Sequence, residues 1–196
     1  MDGGEGAPGC LAMPTAEANP ALETARLTLR PARLGDADGL FALYSDPRVV
    51  RYWAWPAWTS IEQAHDYITR MAPKPDSLPL VAARRVEGDV VGTVSLYQIN
   101  AQNRRAELGY ALRQALWGQG YASEMVGAVL AHAFDALGLH RIEADIDPRN
   151  DASARLLERM GFLREGYLRE RWIVNGEVQD TGLYGLLVQD WRARQA

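Results

Sequence analysis

The residues best suited to chemistry in this chain are Gly118 and Gly120, which stand between a strand-like run and a helix-like run. The strand-like run is Arg105–Leu112, where polar and apolar residues alternate, and the helix-like run covers residues 123–137. Glycine lets the backbone turn tightly and approach a ligand closely. The first turn of a helix offers unpaired N–H groups and a positive dipole end to an anion. This order predicts a site for a phosphorylated cofactor; the alternative is a turn that only links the strand to the helix.

Two familiar nucleotide-binding patterns fit this loop poorly. Residues 118–123 read GxGxxS, and Glu143 stands near the place of the acidic residue in the dinucleotide fingerprint. The third glycine is missing, however, and residues 113–117 separate the predicted strand from the loop, where the fingerprint turns immediately. A Walker loop is excluded because no Lys-Ser or Lys-Thr pair follows the glycines.

The composition predicts one acidic globular domain. The chain has 196 residues, of which 47% are hydrophobic and 23% charged, and its formal net charge is -4. This balance argues against a nucleic-acid partner. Cys10 is the single cysteine, so neither an intramolecular disulfide nor a cysteine metal cluster can form. His65, His132 and His140 lack close metal-ligand spacing, and we expect no metal.

The N-terminal segment, residues 1–22, is rich in Gly, Ala, Pro and Glu without periodicity and is predicted to be a disordered tail. Residues 23–196 are predicted to form a single domain. No apolar run reaches the ~18 residues of a membrane span, and the start lacks the basic and apolar stretches of a secretory signal. We therefore expect a cytoplasmic protein without a membrane partner.

Hydrophobic periodicity and turn signals predict a mixed α/β sheet. The predicted order is a strand, two helices, three mostly antiparallel strands, a helix, a strand, a helix and a final hairpin. The strand–helix–strand order across residues 105–146 implies a right-handed crossover between parallel neighbours. The fold class is therefore α/β (α+β), a mostly antiparallel central sheet of about six to seven strands with flanking helices.

Several short motifs follow one another in an order more specific than the glycine loop alone. They are Glu107-Leu108-Gly109-Tyr110, then Trp117-Gly118-Gln119-Gly120-Tyr121-Ala122 with Glu124, then Asp147-Pro148-Arg149-Asn150, and finally Ser153 through Glu158-Arg159-Met160-Gly161-Phe162. On these residues the chain resembles, over about residues 24–188, the GNAT family of acetyl-CoA-dependent N-acetyltransferases. The loop departs from the family's Arg/Gln-x-x-Gly-x-Gly/Ala pattern at its first position. The motifs are most similar to the Rim-type branch, which acetylates the N-terminal alanine or serine of ribosomal proteins.

The resemblance implies an acetyl-CoA site with a defined set of residues. Those implied to contact the cofactor are Leu112, Trp117, Gly118, Gln119, Gly120, Tyr121, Ala122, Ser123 and Asn150. Backbone N–H groups of the loop would hold the pyrophosphate, and the N–H of Leu112 would stabilise the thioester oxyanion. The Asn150 side chain would hold the pantetheine region; the alternative role, compatible with the first, is to cap the helix over residues 151–160.

Glu107 is the candidate general base. It lies on the predicted central strand just before the cofactor site, on the face opposite Ala106 and Leu108. The family often uses a carboxylate there, commonly through water. A base is needed because an alkyl ammonium has a pKa of about 10.4 and an α-ammonium one of about 8. The alternative is a structural ion pair with Arg105 or Arg171.

No general acid for the leaving thiolate follows from the motifs. Many family members use a tyrosine in the helix after the asparagine, and Leu157 stands there in this chain. Tyr167 is near in sequence but is predicted to begin the next strand, and a thiol with a pKa of about 8.5 can leave without an acid. The missing tyrosine keeps open a second class of function, a non-catalytic acyl-CoA-binding module.

A tryptophan-rich loop between the first two predicted helices is the candidate acceptor wall. Trp53, Trp55 and Trp58 would line the acceptor cleft, or alternatively pack beneath the loop as core. We expect an N-acetyltransferase that moves acetyl directly to a primary amine in a ternary complex, with a protein or peptide N-terminal amine favoured. The alternatives are an amino acid, a polyamine or an antibiotic. A homodimer is compatible with the sequence.

Overall fold

The computed structural model of the protein describes residues 21–72, 74–174 and 176–195. Residues 1–20, which make up nearly all of the predicted tail and include Cys10, lie outside this described part. Leu22, at the end of the predicted tail, begins a short strand that pairs with the next one.

An eight-stranded sheet forms the centre of the fold, in the order β1-β2-β3-β4-β5-β6-β8-β7. Its strands are β1 Leu22–Glu23, β2 Leu27–Arg30, β3 Leu78–Arg84, β4 Val90–Asn100, β5 Arg105–Leu112, β6 Arg141–Ile146, β7 Leu163–Val174 and β8 Glu177–Leu187. Neighbouring strands are antiparallel except β5 and β6, which are parallel. The predicted mixed sheet with one parallel crossover is confirmed, and the two-residue β1 is the strand beyond the expected number.

Five α-helices accompany the strands in the described part of the chain. They are α1 Ala37–Tyr44, α2 Glu62–Arg70, α3 Tyr121–Ala131, α4 Asp151–Met160 and α5 Val188–Ala193. A π-helical turn, His132–Ala136, continues α3, so together they cover the helix predicted after the glycine loop. Among the described residues, no helix has the length and apolar character needed to cross a bilayer.

Local capping signals set the ends of two helices. The Gln63 side-chain oxygen accepts hydrogen bonds from the backbone N–H groups of Thr59 and Ser60, at 2.7 and 3.1 Å, next to the start of α2. The Asn150 side chain caps α4, and Gly161 ends α4 with a φ of 99°, a conformation that glycine adopts without strain. These ends were readable from the sequence because capping depends on neighbouring residues.

The sheet carries a hydrophobic core on each face. One core joins β5 to α3 and α4 and includes Leu108, Leu130 and Leu157. The other joins the opposite face to α1 and α2 and includes Leu40 and Ala111. Strand β5 contributes to both because successive side chains point to opposite faces of a strand. It is therefore held from both sides where it passes the site.

The parallel pairing of β5 and β6 is short. Only three registers are paired, Arg105 with Arg141, Ala106 with Ile142 and Glu107 with Glu143. Beyond them β5 stays paired with β4 and β6 with β8, while the two parallel strands no longer bond to each other. The result is a wedge-shaped gap in the middle of the sheet, bounded by α3 and α4, and both cavities described below open from it.

Candidate active site

A cavity of about 710 Å³ lies between the gap, the glycine loop and α4. Seven of the residues predicted to contact the cofactor line it: Leu112, Trp117, Gly118, Gly120, Ala122, Ser123 and Asn150. Its volume is within the range of small-molecule and cofactor sites. We call it the cofactor cavity.

The glycine loop offers backbone and open space to this cavity. Gly118 and Gly120 have φ angles of 74° and 83°, in the left-handed region that other residues rarely adopt. Gly120 immediately precedes α3, and no side chain caps the first turn of that helix. The N–H groups of this turn and the helix dipole therefore face the cavity without a competing side-chain acceptor. The geometry fits an anionic group such as a pyrophosphate.

Arg26 braces the loop from the side away from the cavity. Its guanidinium donates to the Glu124 carboxylate at 2.7 Å and to the Gln119 carbonyl at 3.0 Å. The same group lies 3.9 Å from the centre of the Tyr121 ring. The Gln119 side chain donates to the Ala115 carbonyl at 2.8 Å. The side chains of Gln119 and Tyr121 therefore support the loop and lie outside the cavity lining, which leaves their predicted contact with the cofactor to their backbone N–H groups.

Leu112 directs its backbone toward the gap. The N–H of Arg113 donates to the carbonyl of Val91 on β4 at 2.8 Å. In an antiparallel ladder the backbone groups of adjacent residues point in opposite directions, so those of Leu112 point away from β4. Its carbonyl accepts the indole N–H of Trp117 at 2.8 Å, which fixes the start of the loop to the end of β5. The N–H of Leu112 is left facing the cofactor cavity.

Asn150 combines both of its predicted positions. Its side-chain oxygen accepts the backbone N–H of Ser153 at 3.1 Å, which is the capping role. Asn150 also lines the cofactor cavity and the second cavity described next, so its amide is exposed to both.

The second cavity, of about 820 Å³, lies on the other side of the gap. Eight aromatic residues from the α1–α2 loop, α2, β4, β5 and β7 contribute to its lining: Tyr52, Trp53, Trp55, Trp58, Tyr67, Tyr97, Tyr110 and Trp172. Three carboxylates also line it, those of Asp145, Asp147 and Asp180, together with the cation of Arg70. Aromatic rings and carboxylates suit an organic cation. We call it the acceptor cavity.

The tryptophan loop serves both as wall and as core. Trp58 is buried, and its ring centroid is 4.7 Å from that of the buried Tyr44. Trp53 and Trp55 are partly exposed and meet edge to face at 4.7 Å. The Trp55 indole N–H is buried without a hydrogen-bond partner in the described structure. All three tryptophans line the cavity and pack against the core on this face of the sheet, with Trp58 the most deeply buried of them.

Glu107 is isolated from the arginines around it. Arg105 and Arg141 both pair with Glu143, at 2.7 and 2.8 Å. Arg171 lies 3.6 Å from Asp145. Among the described residues Glu107 has no salt bridge, so the ion pairs predicted as its alternative role do not form. The Glu107 side chain lines neither cavity.

Tyr97 connects Glu107 to the acceptor cavity. This tyrosine lines the cavity, and its hydroxyl lies within reach of the Glu107 carboxylate. Burial raises the pKa of Glu107 above its ordinary value, and the charges of Asp145 and Glu143 raise it further. Burial raises the pKa of Tyr97, and the charges of Asp145 and Glu107 raise it further. A carboxylate with a raised pKa is a stronger base near neutral pH.

The two cavities share a wall that consists of five residues: Tyr52, Trp53, Tyr110, Asn150 and Ser153. Within this wall the hydroxyl groups of Tyr110 and Ser153 lie 2.6 Å apart. The two cavities are therefore adjacent along this wall. This arrangement suits direct transfer between two bound molecules.

A family model described as "Acetyltransferase (GNAT) domain" matches residues 26–163. The uncharacterised N-acetyltransferase YoaA of Bacillus subtilis is 38% identical over 171 residues, which cover 86% of this chain and 97% of that protein. The chain belongs to the GNAT acetyltransferase family. It is an acetyl-transferring enzyme.

Two further GNAT relatives bear on the acceptor. A crystal structure of spermidine N-acetyltransferase from Vibrio cholerae in complex with CoA and spermine has a TM-score of 0.76 and 25% identity, covering 86% of this chain and 99% of that one. The candidate ribosomal N-acetyltransferase YdaF of Bacillus subtilis is 32% identical over 56% of this chain and 60% of its own length. The expected family is therefore confirmed, and the expected Rim-type branch is not.

Several residues of this GNAT site were absent from the sequence-based set. They are Tyr110 and Ser153 on the shared wall, Tyr97 beside the predicted base, and Arg48, Arg51, Arg149 and Arg159 around the cofactor cavity. Leu157 is fully buried in the core. Tyr167 lines neither cavity, and its hydroxyl donates to Asp180, which lines the acceptor cavity. Four of the missed residues stand inside the motifs that carried the resemblance, which was the available signal: Tyr110, Arg149, Ser153 and Arg159.

Proposed function

We propose that this chain transfers an acetyl group from acetyl-CoA to a primary amine of a small cationic molecule, by direct attack within a ternary complex. The observation that carries the proposal is the pair of cavities with one shared wall, the first suited to an anion and the second to a cation. Family membership supplies the acetyl transfer.

The cofactor cavity suits coenzyme A in charge and shape. The glycine loop and the first turn of α3 supply backbone N–H groups for the pyrophosphate. Four arginines line the same cavity: Arg48, Arg51, Arg149 and Arg159. Arg48 and Arg149 also pair with Asp46 and Asp147, so part of their charge is already balanced. The cavity as a whole favours a ligand with several negative charges.

Glu107 is the proposed base. Acetyl-CoA supplies the activated thioester; this chain's contribution is to hold the acceptor and take its proton. The acceptor ammonium loses a proton to Glu107, through Tyr97 or a water molecule, because the carboxylate does not line the cavity itself. The neutral amine nitrogen then attacks the thioester carbon; a C–N bond forms, the C–S bond breaks, CoA leaves as the thiolate, and the new amide nitrogen releases its second proton to solvent. The N–H of Leu112 stabilises the charge that develops on the carbonyl oxygen.

The acceptor cavity favours a small amine with more than one positive charge. Asp145, Asp147 and Asp180 lie along it, while Arg70 is the cation in its lining. Carboxylates and tryptophan faces together attract alkylammonium groups. The likeness to a spermidine N-acetyltransferase that was solved with CoA and spermine agrees with this charge pattern.

A peptide N-terminus is the second candidate acceptor. Trp53 and Trp55 are partly exposed and provide a wall against which an extended peptide can lie. An α-amine also needs less help from a base, because roughly a fifth to a third of it is neutral near pH 7.4, against about a thousandth of a lysine amine. The 32% identity to a candidate ribosomal N-acetyltransferase supports the same reading.

Thiol release from acetyl-CoA tests the proposal with a panel of amines. The panel pairs spermidine and a diamine with Ala- and Ser-initiated peptides, and adds free amino acids and aminoglycosides. We expect kcat/KM for the best polycationic small amine to exceed that for the best peptide by tenfold or more. A peptide preference of that size would replace the small-amine acceptor with a protein N-terminus. If no amine in the panel causes thiol release, the proposed function is overturned.

A further inference from the structure

We propose that Tyr110, held by Ser153, is a catalytic residue that donates a hydrogen bond to the thioester sulfur and stabilises the leaving thiolate. This role rests on the proposed function. It fills the place that the family's tyrosine leaves empty, since Leu157 is a buried apolar residue here.

The first argument is location. An acetyl group that passes between the two cavities must cross their shared wall, so the thioester lies against that wall. Of the hydroxyl groups there, that of Tyr52 already donates to the Arg149 carbonyl at 3.1 Å. The hydroxyls of Tyr110 and Ser153 bond to each other at 2.6 Å and face both cavities. They are therefore the hydroxyl donors positioned where the bond breaks.

The second argument is the register of β5. Tyr110 stands two residues before Leu112, so both side chains point to the same face of the strand, about 7 Å apart along it. In the proposed complex the carbonyl oxygen of the thioester accepts a hydrogen bond from the N–H of Leu112, and the thioester sulfur lies two bonds from that oxygen. Tyr110 also lies beyond Glu107, the last residue of β5 that pairs with β6, and so belongs to the part of the strand that borders the gap.

The third argument is that the tyrosine is fixed in place. Ser153 is in the first turn of α4, where its backbone N–H donates to the Asn150 cap. Either hydroxyl of this 2.6 Å pair can donate; when Ser153 donates to the Tyr110 oxygen, the Tyr110 hydrogen is left to point onward to the sulfur. The Tyr110 ring packs against the core beside α3 and α4. A donor held in this way loses little entropy when the charge on sulfur develops.

The surroundings keep the phenol protonated. Burial raises the pKa of Tyr110 to about 12, Tyr184 on β8 adds to the rise, and Arg159 on α4 opposes it. The alkyl thiol has a pKa of about 8.5. Tyr110 therefore keeps its proton: the C–S electron pair moves to sulfur, the thiolate leaves bonded to the Tyr110 hydroxyl, and solvent supplies the thiol proton after release.

The decisive measurement is the thiol pKa of bound CoA, read from thiolate absorbance in the ultraviolet, because it does not depend on any acceptor. A donor to sulfur favours the thiolate, so in the wild type this pKa should lie below about 8.5, and Tyr110→Phe should raise it by about one unit. Tyr184→Phe, which changes a nearby buried tyrosine that lines neither cavity, should leave it unchanged. Equal thiol pKa values in the wild type and Tyr110→Phe would overturn the role.

Turnover supplies the second readout. Tyr110→Phe should lower kcat by about 10²-fold at unchanged affinity for CoA. Ser153→Ala should lower it less, and Ser153→Thr, which keeps a hydroxyl, should restore most of the rate. A loss that appears only as weaker CoA binding would make Tyr110 a binding residue and overturn the proposal. If Tyr110→Phe fails to fold, the thiol pKa of CoA bound to Ser153→Ala decides instead. A wild type that acetylates no amine refutes the proposed function, while the thiol pKa still decides the role of Tyr110.

Discussion

Glu107 and Glu143 lie opposite each other in the last register of the parallel ladder, and both nearby arginines pair with Glu143. Two adjacent carboxylates thereby acquire different properties. Glu143 is neutralised by Arg105 and Arg141, while Glu107 faces Tyr97 and keeps a raised pKa. Such a difference between neighbouring acids is what a site needs to hold one carboxylate as a base.

Glu107→Gln should therefore impair turnover while leaving the cofactor site intact. The amide keeps the shape of the side chain and its capacity to accept from Tyr97, but it cannot take a proton. We expect kcat to fall by roughly 10²–10⁴-fold, with the affinity for CoA unchanged by calorimetric titration. Turnover equal to that of the wild type from pH 6 to 9 would assign Glu107 a structural role.

The same substitution should stabilise the fold at neutral pH. Because the pKa of Glu107 is raised in the folded state, its contribution to stability is fully present below the unfolded pKa and is lost as the pH rises through the folded pKa. Glutamine does not ionise, so Glu107→Gln does not lose stability in this way as the pH rises. We expect its Tm to exceed that of the wild type at pH 7.5 and the difference to vanish near pH 4. A lower Tm at pH 7.5 would contradict the raised pKa.

Asp145→Asn should act on both the acceptor and the base. Asp145 lines the acceptor cavity and its charge raises the pKa of Glu107. Without that charge, KM for a polycationic amine should rise by about tenfold, and the acidic limb of the kcat/KM profile should move to lower pH. Asp66→Asn, on the exposed side of α2, is the matched control for loss of one negative charge. If the acidic limb does not move, the group that titrates in the kcat/KM profile is not Glu107.

Gly120→Ala should weaken CoA binding through the backbone. Gly120 has a φ of 83°, a conformation that costs an L residue about 1–2 kcal/mol, and the new Cβ would lie 3.4 Å from the Arg26 guanidinium. We expect the Kd for CoA to rise about tenfold or more. Gly127→Ala is the control, because a Cβ at this position in α3 meets nothing within 4 Å. It should keep CoA affinity and gain about 0.5–1 kcal/mol of stability. If Gly120→Ala and Gly127→Ala lose CoA affinity equally, the glycine loop is not part of the CoA site.

Elements with local signals were predictable from the sequence. Strand β5 and helix α4 have the expected bounds, because alternation, an Asn cap and a Gly end are encoded within a few residues. The position of the cofactor cavity followed from the same signals, since the glycine loop lies between β5 and α3.

Contacts between distant segments were not predictable in this way. The pairing of Arg105 with Glu143 depends on the register of β5 against β6, which no local pattern contains. The side-chain contacts of Gln119 and Tyr121, with the Ala115 carbonyl and with Arg26, were not predictable, because the loop motif concerns the backbone N–H groups offered to the cofactor. Their role depends on Arg26, which is remote in sequence.

The shared wall has an evolutionary consequence. The cofactor cavity is built chiefly from β5, the glycine loop, the starts of α3 and α4, and part of the α1–α2 loop, whereas the β7–β8 hairpin lines the acceptor cavity alone. Substitutions in the hairpin can therefore accumulate and recruit new amines, while the machinery for the acyl donor is inherited unchanged.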